Sequence, residues 1–228
     1  MKHQLYLSWS GGKDSALALW ELSQSVKYEV VGLLTTVTKD YDRISMHGVR
    51  VSLLEQQAAA LHLPLKKVFI TKNAGNAEYE VAMARVCEEI QQEGISTIAF
   101  GDIFLEDLKL YRENNLAKVG MRALFPLWKI PTTELVREFL ANDFQSVTVT
   151  CDPRKLSERF VGRVMDKEFF DSLPADVDPC GENGEYHSFV FQSPNFRTTI
   201  PITIGAKAFR DNFWFCDILS ANAETAYL

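Results

Sequence analysis

The chain has 228 residues, 46% of them hydrophobic, with 30 acidic against 24 basic side chains and a formal net charge of −6. That length and apolar content provide a sizeable core in one large domain or two smaller ones, and the acidic balance works against broad nucleic-acid binding, which needs a basic footprint. No apolar run approaches bilayer-spanning length and the first one is too short for a secretory signal, so a cytoplasmic protein without membrane contact is expected.

Leu5-Tyr6-Leu7-Ser8-Trp9 reads as a strand, Ser10-Gly11-Gly12-Lys13-Asp14-Ser15 as a tight turn, and Ala16 to Leu22 as a helix opening directly from it. Paired glycines let successive amides converge on one concavity, and a helix N-terminus adds partial positive charge. Such a junction binds phosphate. Lys13 adds a full positive charge, Ser10 and Ser15 add hydroxyl donors, and Asp14 offers a carboxylate to magnesium, directly or through water. Neither G-x-x-x-x-G-K-[ST] nor G-x-G-x-x-G occurs, and the plainer alternative is a serine-glycine turn that only caps the helix.

Tyr28 to Val37 is a mostly apolar, β-branched run of the kind found in strands buried on both faces. Its C-terminal end places Thr35 and Thr36 beside the first loop, within reach of an adenine, although threonine also simply suits a strand. Lys39 to Arg50 reads as a loop returning to the same edge; its His47 either bonds phosphate or ribose or is an ordinary exposed histidine. Leu54, Ala58 and Leu61 mark a helix, Leu65 to Thr71 a strand, Tyr79, Met83, Val86 and Ile90 a helix ending near Gly94, and Thr97 to Phe100 a strand. This alternation predicts a parallel sheet with helices on both faces.

Gly101-Asp102 closes the fourth predicted strand at the carboxyl edge, where glycine allows close approach of a ligand. Asp102 is the second magnesium candidate, or else an N-cap for the helix starting near Leu105. That helix is strongly charged, which suits a solvated face, with Lys109 or Arg112 functional if turned inward. The texture changes at Leu124-Phe125-Pro126-Leu127-Trp128, which sets the expected domains at 1–125 and 126–228. Beyond it come a helix over Thr132 to Leu140, a strand over Ser146 to Thr150, a mixed segment over Leu156 to Leu173, and short strands at Phe189 to Phe191, Thr199 to Ile204 and Phe213 to Leu219.

Asp178-Pro179-Cys180-Gly181-Glu182-Asn183-Gly184-Glu185-Tyr186-His187-Ser188 concentrates carboxylates, glycines and a histidine just before one of those strands. Such a loop gathers side chains and amides around a substrate, whereas Asn-Gly by itself also marks an ordinary turn. Cys87, Cys151, Cys180 and Cys216 show no C-x-x-C or zinc spacing, so reduced thiols are expected. Cys180 has no evident general base to make it a nucleophile.

Ser10 to Ser15 resembles the S-G-G-x-D-S signature of the PP-loop ATP pyrophosphatases. With Gly101-Asp102-Ile103, Pro126-Leu127-Trp128 and the Glu182 to Ser188 run, the chain resembles their diphthine:ammonia ligase-like family over nearly its whole length. The resemblance implies an α/β fold: a Rossmann-like (HUP-type) parallel five-stranded sheet with helices on both faces, plus a smaller C-terminal α+β domain. It implies ATP and Mg2+, with Ser10, Gly11, Gly12, Lys13, Asp14 and Ser15 around the phosphates and Glu182, Asn183, Gly184, Glu185, Tyr186, His187 and Ser188 forming a substrate loop.

The implied reaction adenylates the carboxylate of a small molecule or a modified residue and couples it to ammonia or an amine, with Lys13, Asp14, Glu185 and His187 as the catalytic set. Diphthamide-making members resemble E-G-G-E-[FY]-E-[TS] at the substrate loop. Here Asn183 stands for a glycine and His187 for an acid, which disfavours a cationic, imidazole-bearing diphthine acceptor. The Glu-Asn-Gly-Glu form resembles a bacterial-type branch, some of whose members have been proposed to amidate a small carboxylate in cobalamin salvage. A tRNA-modifying PP-loop enzyme and a non-catalytic ATP-binding regulator are the rival readings, and a homodimer is compatible with any of them.

Overall fold

The computed structural model describes residues 1–40, 43–44, 48–72 and 75–221. In chain order its elements are β1 (His3–Ser8), α1 (Lys13–Gln24), β2 (Tyr28–Thr38), β3 (Arg43–Ile44), α2 (Val51–Leu61), β4 (Leu65–Ile70), α3 (Asn76–Gln92), β5 (Thr97–Ala99), α4 (Glu106–Lys118), β6 (Arg122–Leu124), α5 (Thr132–Ala141), β7 (Gln145–Cys151), α6 (Lys167–Asp171), β8 (Tyr186–Gln192), β9 (Ile202–Arg210) and β10 (Phe213–Ser220). A short 3-10 turn over Glu158–Phe160 lies between β7 and α6.

The first sheet sets parallel strands in the order β4-β2-β1-β5-β6, with β3 added antiparallel to β2 through Val37–Ile44 and Thr38–Arg43. Alternation along β1 divides the core. Leu5, Leu7 and Trp9 point to one face with Leu17 and Leu22 of α1 and Leu54 of α2, while Tyr6 points to the other with Cys87 and Ile90 of α3 and Leu116 of α4. Two helices thus cover each face, as connections between parallel strands require. Among the described residues no helix is long and apolar enough to cross a membrane.

The second sheet is antiparallel throughout, in the order β8-β7-β10-β9. Asp211 and Asn212 close the β9–β10 hairpin with φ of 48° and 64°, the left-handed pair that a tight two-residue turn needs. Leu135 and Phe139 of α5 join the core of this sheet, through Val147, Val149 and Phe189, to the α1 side of the first. The expected α/β fold with a second, smaller sheet is present. Three features differ from the sequence reading: the three-residue strand β6 has no counterpart in it, β9 starts after Pro201 rather than at Thr199, and the stretch read as a loop over Lys39 to Arg50 contains β3.

Candidate active site

The glycine loop after β1 is fixed by buried polar contacts. Gly11 has φ +76°, and a Cβ there would come within 2.6 Å of Gln57 Oε1, so the position needs glycine twice over. Its carbonyl accepts from Val190 N of β8 and from Gln57 Nε2 of α2, both at 2.9 Å. Fully buried Gln57 also donates to Val190 O at 2.6 Å and accepts from Trp9 Nε1 at 2.9 Å, tying β1, α2 and β8 to one loop. Ser10 Oγ accepts from Gly12 N at 3.3 Å, and Ser15 Oγ donates to Gly12 O at 2.9 Å.

Helix α1 begins at Lys13 with no side-chain cap of its own from Gly12. Ser188 of β8 supplies an acceptor, taking the Lys13 amide at 3.1 Å. The amides of Asp14 and Ser15 donate to no backbone carbonyl among the described residues, so the first turn keeps donors for an anion. Gly101 closes in from β5: a Cβ would lie 2.9 Å from the Asp14 carbonyl, so only glycine lets this edge meet α1.

The loop over 178–188 is wound on its own carboxylates. Asp178 Oδ2 accepts from Cys180 N at 2.9 Å and Glu182 N at 3.0 Å. Glu185 Oε1 accepts from Asp178 N and Asn183 Nδ2, both at 3.0 Å, and Tyr186 donates to Pro179 O at 2.5 Å. Gly181 and Gly184 take φ of +69° and +87° at the bends. Glu185 is 3% exposed and holds the loop from beneath, with its second oxygen lacking a hydrogen-bond partner among the described residues.

These parts face one cleft of about 230 Å³, to which Ser10, Asp14, Ser15, Gly101, Asp102, Arg112, Glu182, Gly184, Tyr186 and His187 contribute. Lys13 does not line it. Its ammonium is buried, 2.6 Å from Asp14 Oδ1, donating also to the Cys180 carbonyl and lying 5.4 Å from the Tyr186 ring centre. Burial is the largest influence and opposes that charge, yet Asp14, Cys180 and Glu182 together overcome it and raise the Lys13 pKa. Asp102 is held by Arg112 of α4, with Nη2 donating to Oδ1 at 3.1 Å and Nε 2.6 Å from Oδ2, though its N–H is not aimed at that oxygen. The same guanidinium lies 4.4 Å from the Phe100 ring centre, so Arg112 is the inward-turned cation of its helix. Lys109 instead pairs with Glu113 at 3.0 Å.

Two titrating groups face the cleft, Glu182 from the loop before β8 and His187 from β8 itself. Burial pushes the Glu182 carboxyl up to about 7, against the stabilising Ile103 amide that donates to it at 2.7 Å. Burial, with Lys13 adding to it, pushes His187 down to about 4, so its imidazole is neutral at physiological pH. Burial also pushes Cys180 up to about 12, which removes it as a thiolate nucleophile and leaves its carbonyl as the useful group. Thr35 is buried in β2, and neither it nor Thr36 lines the cleft. His47 lies outside the described residues. Among the described residues no three His, Cys, Asp or Glu side chains cluster to hold a metal ion. Gln57 carried no signal in the sequence, because one glutamine of a Gln56-Gln57 pair on a helix reads as a solvated face.

A parallel α/β sheet that presents a glycine turn and a helix N-terminus at its carboxyl edge has the architecture of nucleotide-phosphate binders. Residues 3–123 match the Diphthamide synthase N-terminal domain and residues 131–223 the Diphthamide synthase C-terminal domain, so the chain belongs to the diphthamide synthase family. It is 22% identical to the diphthine–ammonia ligase of Schizosaccharomyces pombe over 85% of its own length, but spans only 35% of that protein. Against the human diphthine–ammonia ligase it is 21% identical, and against the bovine one 25%, covering 84% of this chain and 79% of the relative in each case.

Proposed function

We propose that this protein is an ATP-dependent amide-forming ligase, with residues 1–125 binding ATP and 126–228 the acceptor. The observation that carries the reading is that the open amides of α1 and the carboxyl-bearing loop of the second sheet line a single cleft. A carboxylate oxygen of the acceptor attacks the α-phosphorus, the bond to the β-phosphate oxygen breaks, and pyrophosphate leaves with the electron pair. Ammonia or an amine then attacks the acyl carbon and AMP departs. Holding both reactants at one edge supplies the orientation that such a sequence needs.

The Asp14 and Ser15 amides, with the Ser10 and Ser15 hydroxyls, bind the phosphates and stabilise charge on the departing group. Lys13 holds the acceptor loop through the Cys180 carbonyl and balances the Asp14 carboxylate. Glu182, with a pKa of about 7, takes the proton released from the attacking amine. His187 is neutral, so a fixed positive charge on the acceptor finds no counter-charge at that position. This favours an acceptor without a fixed cation and the bacterial-type branch of the family. Magnesium arriving on the phosphates would neutralise charge on pyrophosphate; Asp14 and Asp102 suit its water shell rather than a cage, since each already has a cationic partner.

The test is incubation with magnesium, ATP, ammonium and a panel of carboxylates that includes diphthine-bearing elongation factor and cobalamin precursors. AMP and pyrophosphate appearing with one acceptor are the expected outcome. ADP and phosphate would overturn the loop chemistry, and tight ATP binding without AMP under any mixture would make the protein a regulator.

A further inference from the structure

A second pocket of about 210 Å³ lies where β3 meets the second sheet, lined by Arg43, Gly48, Arg210, Phe215 and Asp217 among others, and it shares no lining residue with the cleft. Its charge is unbalanced. Arg43 Nη1 lies 3.0 Å from Asp217 Oδ1, and Arg50 Nη2 lies 2.6 Å from Oδ2, so two guanidinium groups share one carboxylate. That carboxylate is ionised: burial opposes its charge, but the hydrogen bonds from Arg50 and Arg43 hold its pKa below the ordinary range. Arg210 stacks on Phe215, 4.3 Å from the ring centre, and has no carboxylate partner among the described residues.

Among the described residues two guanidinium groups, Arg43 and Arg210, line the pocket against the single carboxylate of Asp217, which Arg50 also engages from outside the pocket, so the lining carries a surplus positive charge. Gly48 keeps that space open. At φ +68° it takes a conformation other residues avoid, and a Cβ would press on Arg210 Nη2 at 3.2 Å and on Phe215 at 3.3 Å. Stacking on an aromatic face holds a guanidinium flat while leaving its edge N–H groups available, and that planar fork fits an oxyanion. A phosphate group offers several oxygens and can accept from two such forks at once, which a single carboxylate does less well.

We propose that this pocket is a binding site for a phosphate or pyrophosphate group, held between Arg43 and Arg210, separate from the nucleotide cleft and independent of the ligase reading. The source is either the free inorganic ion or the phosphate of a nucleotide. Both share the chemistry the arginines recognise.

The experiment is calorimetric titration of the full chain with sodium phosphate, sodium pyrophosphate and AMP, with and without a saturating non-hydrolysable ATP analogue. Binding of one of these at sub-millimolar concentration in the presence of the analogue is expected. Arg210→Gln, at an exposed position, weakens it at least tenfold with an unchanged melting temperature. Asp217→Asn removes the competing carboxylate and strengthens it several-fold. Saturation by phosphate or pyrophosphate but not AMP assigns the free ion, and the reverse assigns the nucleotide. No binding, binding abolished by the analogue, or equal affinity in Arg210→Gln overturns the proposal.

Discussion

Ser188 Oγ accepts a hydrogen bond from the Lys13 amide at 3.1 Å across 175 residues of sequence. A strand of the antiparallel sheet therefore caps the helix whose first turn offers amides to an anion, and its neighbour Val190 donates to Gly11 in the same glycine turn. The phosphate loop is not complete within the first sheet. Its shape depends on β8, which carries His187 and follows directly from the loop that carries Glu182.

Replacing Ser188 by alanine removes an N-cap supplied from another sheet. Loss of a cap costs about 1 kcal/mol, so the urea midpoint falls accordingly. Because the freed Lys13 amide also lets the helix start shift, ATP affinity falls several-fold, read by titration. Equal affinity with reduced stability would mean that the cap serves folding alone.

Gly101 is a separate steric test, since its backbone conformation is open to any residue and only the space beside it is limiting. Alanine there places Cβ 2.9 Å from the Asp14 carbonyl carbon and oxygen, and neither backbone can yield without displacing the α1 N-terminus. Overpacking of this kind costs about 1–3 kcal/mol. The expected result for Gly101→Ala is a lower melting temperature together with a loss of ATP binding larger than that of Ser188→Ala.

Much of this architecture was legible in the sequence. The runs at Leu5–Trp9, Tyr28–Val37 and Leu65–Thr71 are long and β-branched or apolar enough to declare strands, and Gly11-Gly12 before an apolar helix declares the turn. Arg122–Leu124 was not legible because three residues carry no period and Arg122 is exposed. The start of β9 is hidden for a related reason: the strand is solvent-exposed along most of its length, so no inside-outside alternation marks it. Site residues were recognisable where their chemistry is local, as in Ser10 to Ser15. Gln57, which meets Gly11, Trp9 and Val190, acquires its role only from long-range packing. Asp102 reads as a free carboxylate until α4 folds back and Arg112 reaches it.

Lys13→Met keeps the length of the side chain and removes its charge. The Asp14 carboxylate loses its partner at 2.6 Å and the Cys180 carbonyl loses its donor. Breaking a buried pair by removing one member costs about 3–5 kcal/mol, less here because Asp14 keeps partial access to water. Pyrophosphate release under the conditions proposed above falls at least a hundredfold. Release at the normal rate from a folded Lys13→Met protein would exclude Lys13 from the chemistry.

Glu182 and His187 make opposite contributions to the pH dependence of stability. The His187 pKa falls from 6.5 to about 4 on folding, so the unfolded chain binds the proton first and this group removes stability as pH drops from 6.5 to 4. The Glu182 pKa rises from 4.5 to about 7, so the folded chain binds its proton first and this group adds stability as pH drops from 7 to 4.5. At about 1.4 kcal/mol per unit each effect amounts to roughly 3 kcal/mol, and between pH 6.5 and 4.5 they cancel. Glu182→Gln uncovers the histidine: relative to the unsubstituted protein, it loses stability steadily on acidification through that window in chemical denaturation. His187→Gln uncovers the carboxyl and gains stability over the same range. Curves for both variants that run parallel to the parent would show that neither group titrates as its burial requires, and Glu182 would then be an ordinary ionised carboxylate at neutral pH, still a hydrogen-bond acceptor for the Ile103 amide but with a pKa too low to take the amine proton efficiently.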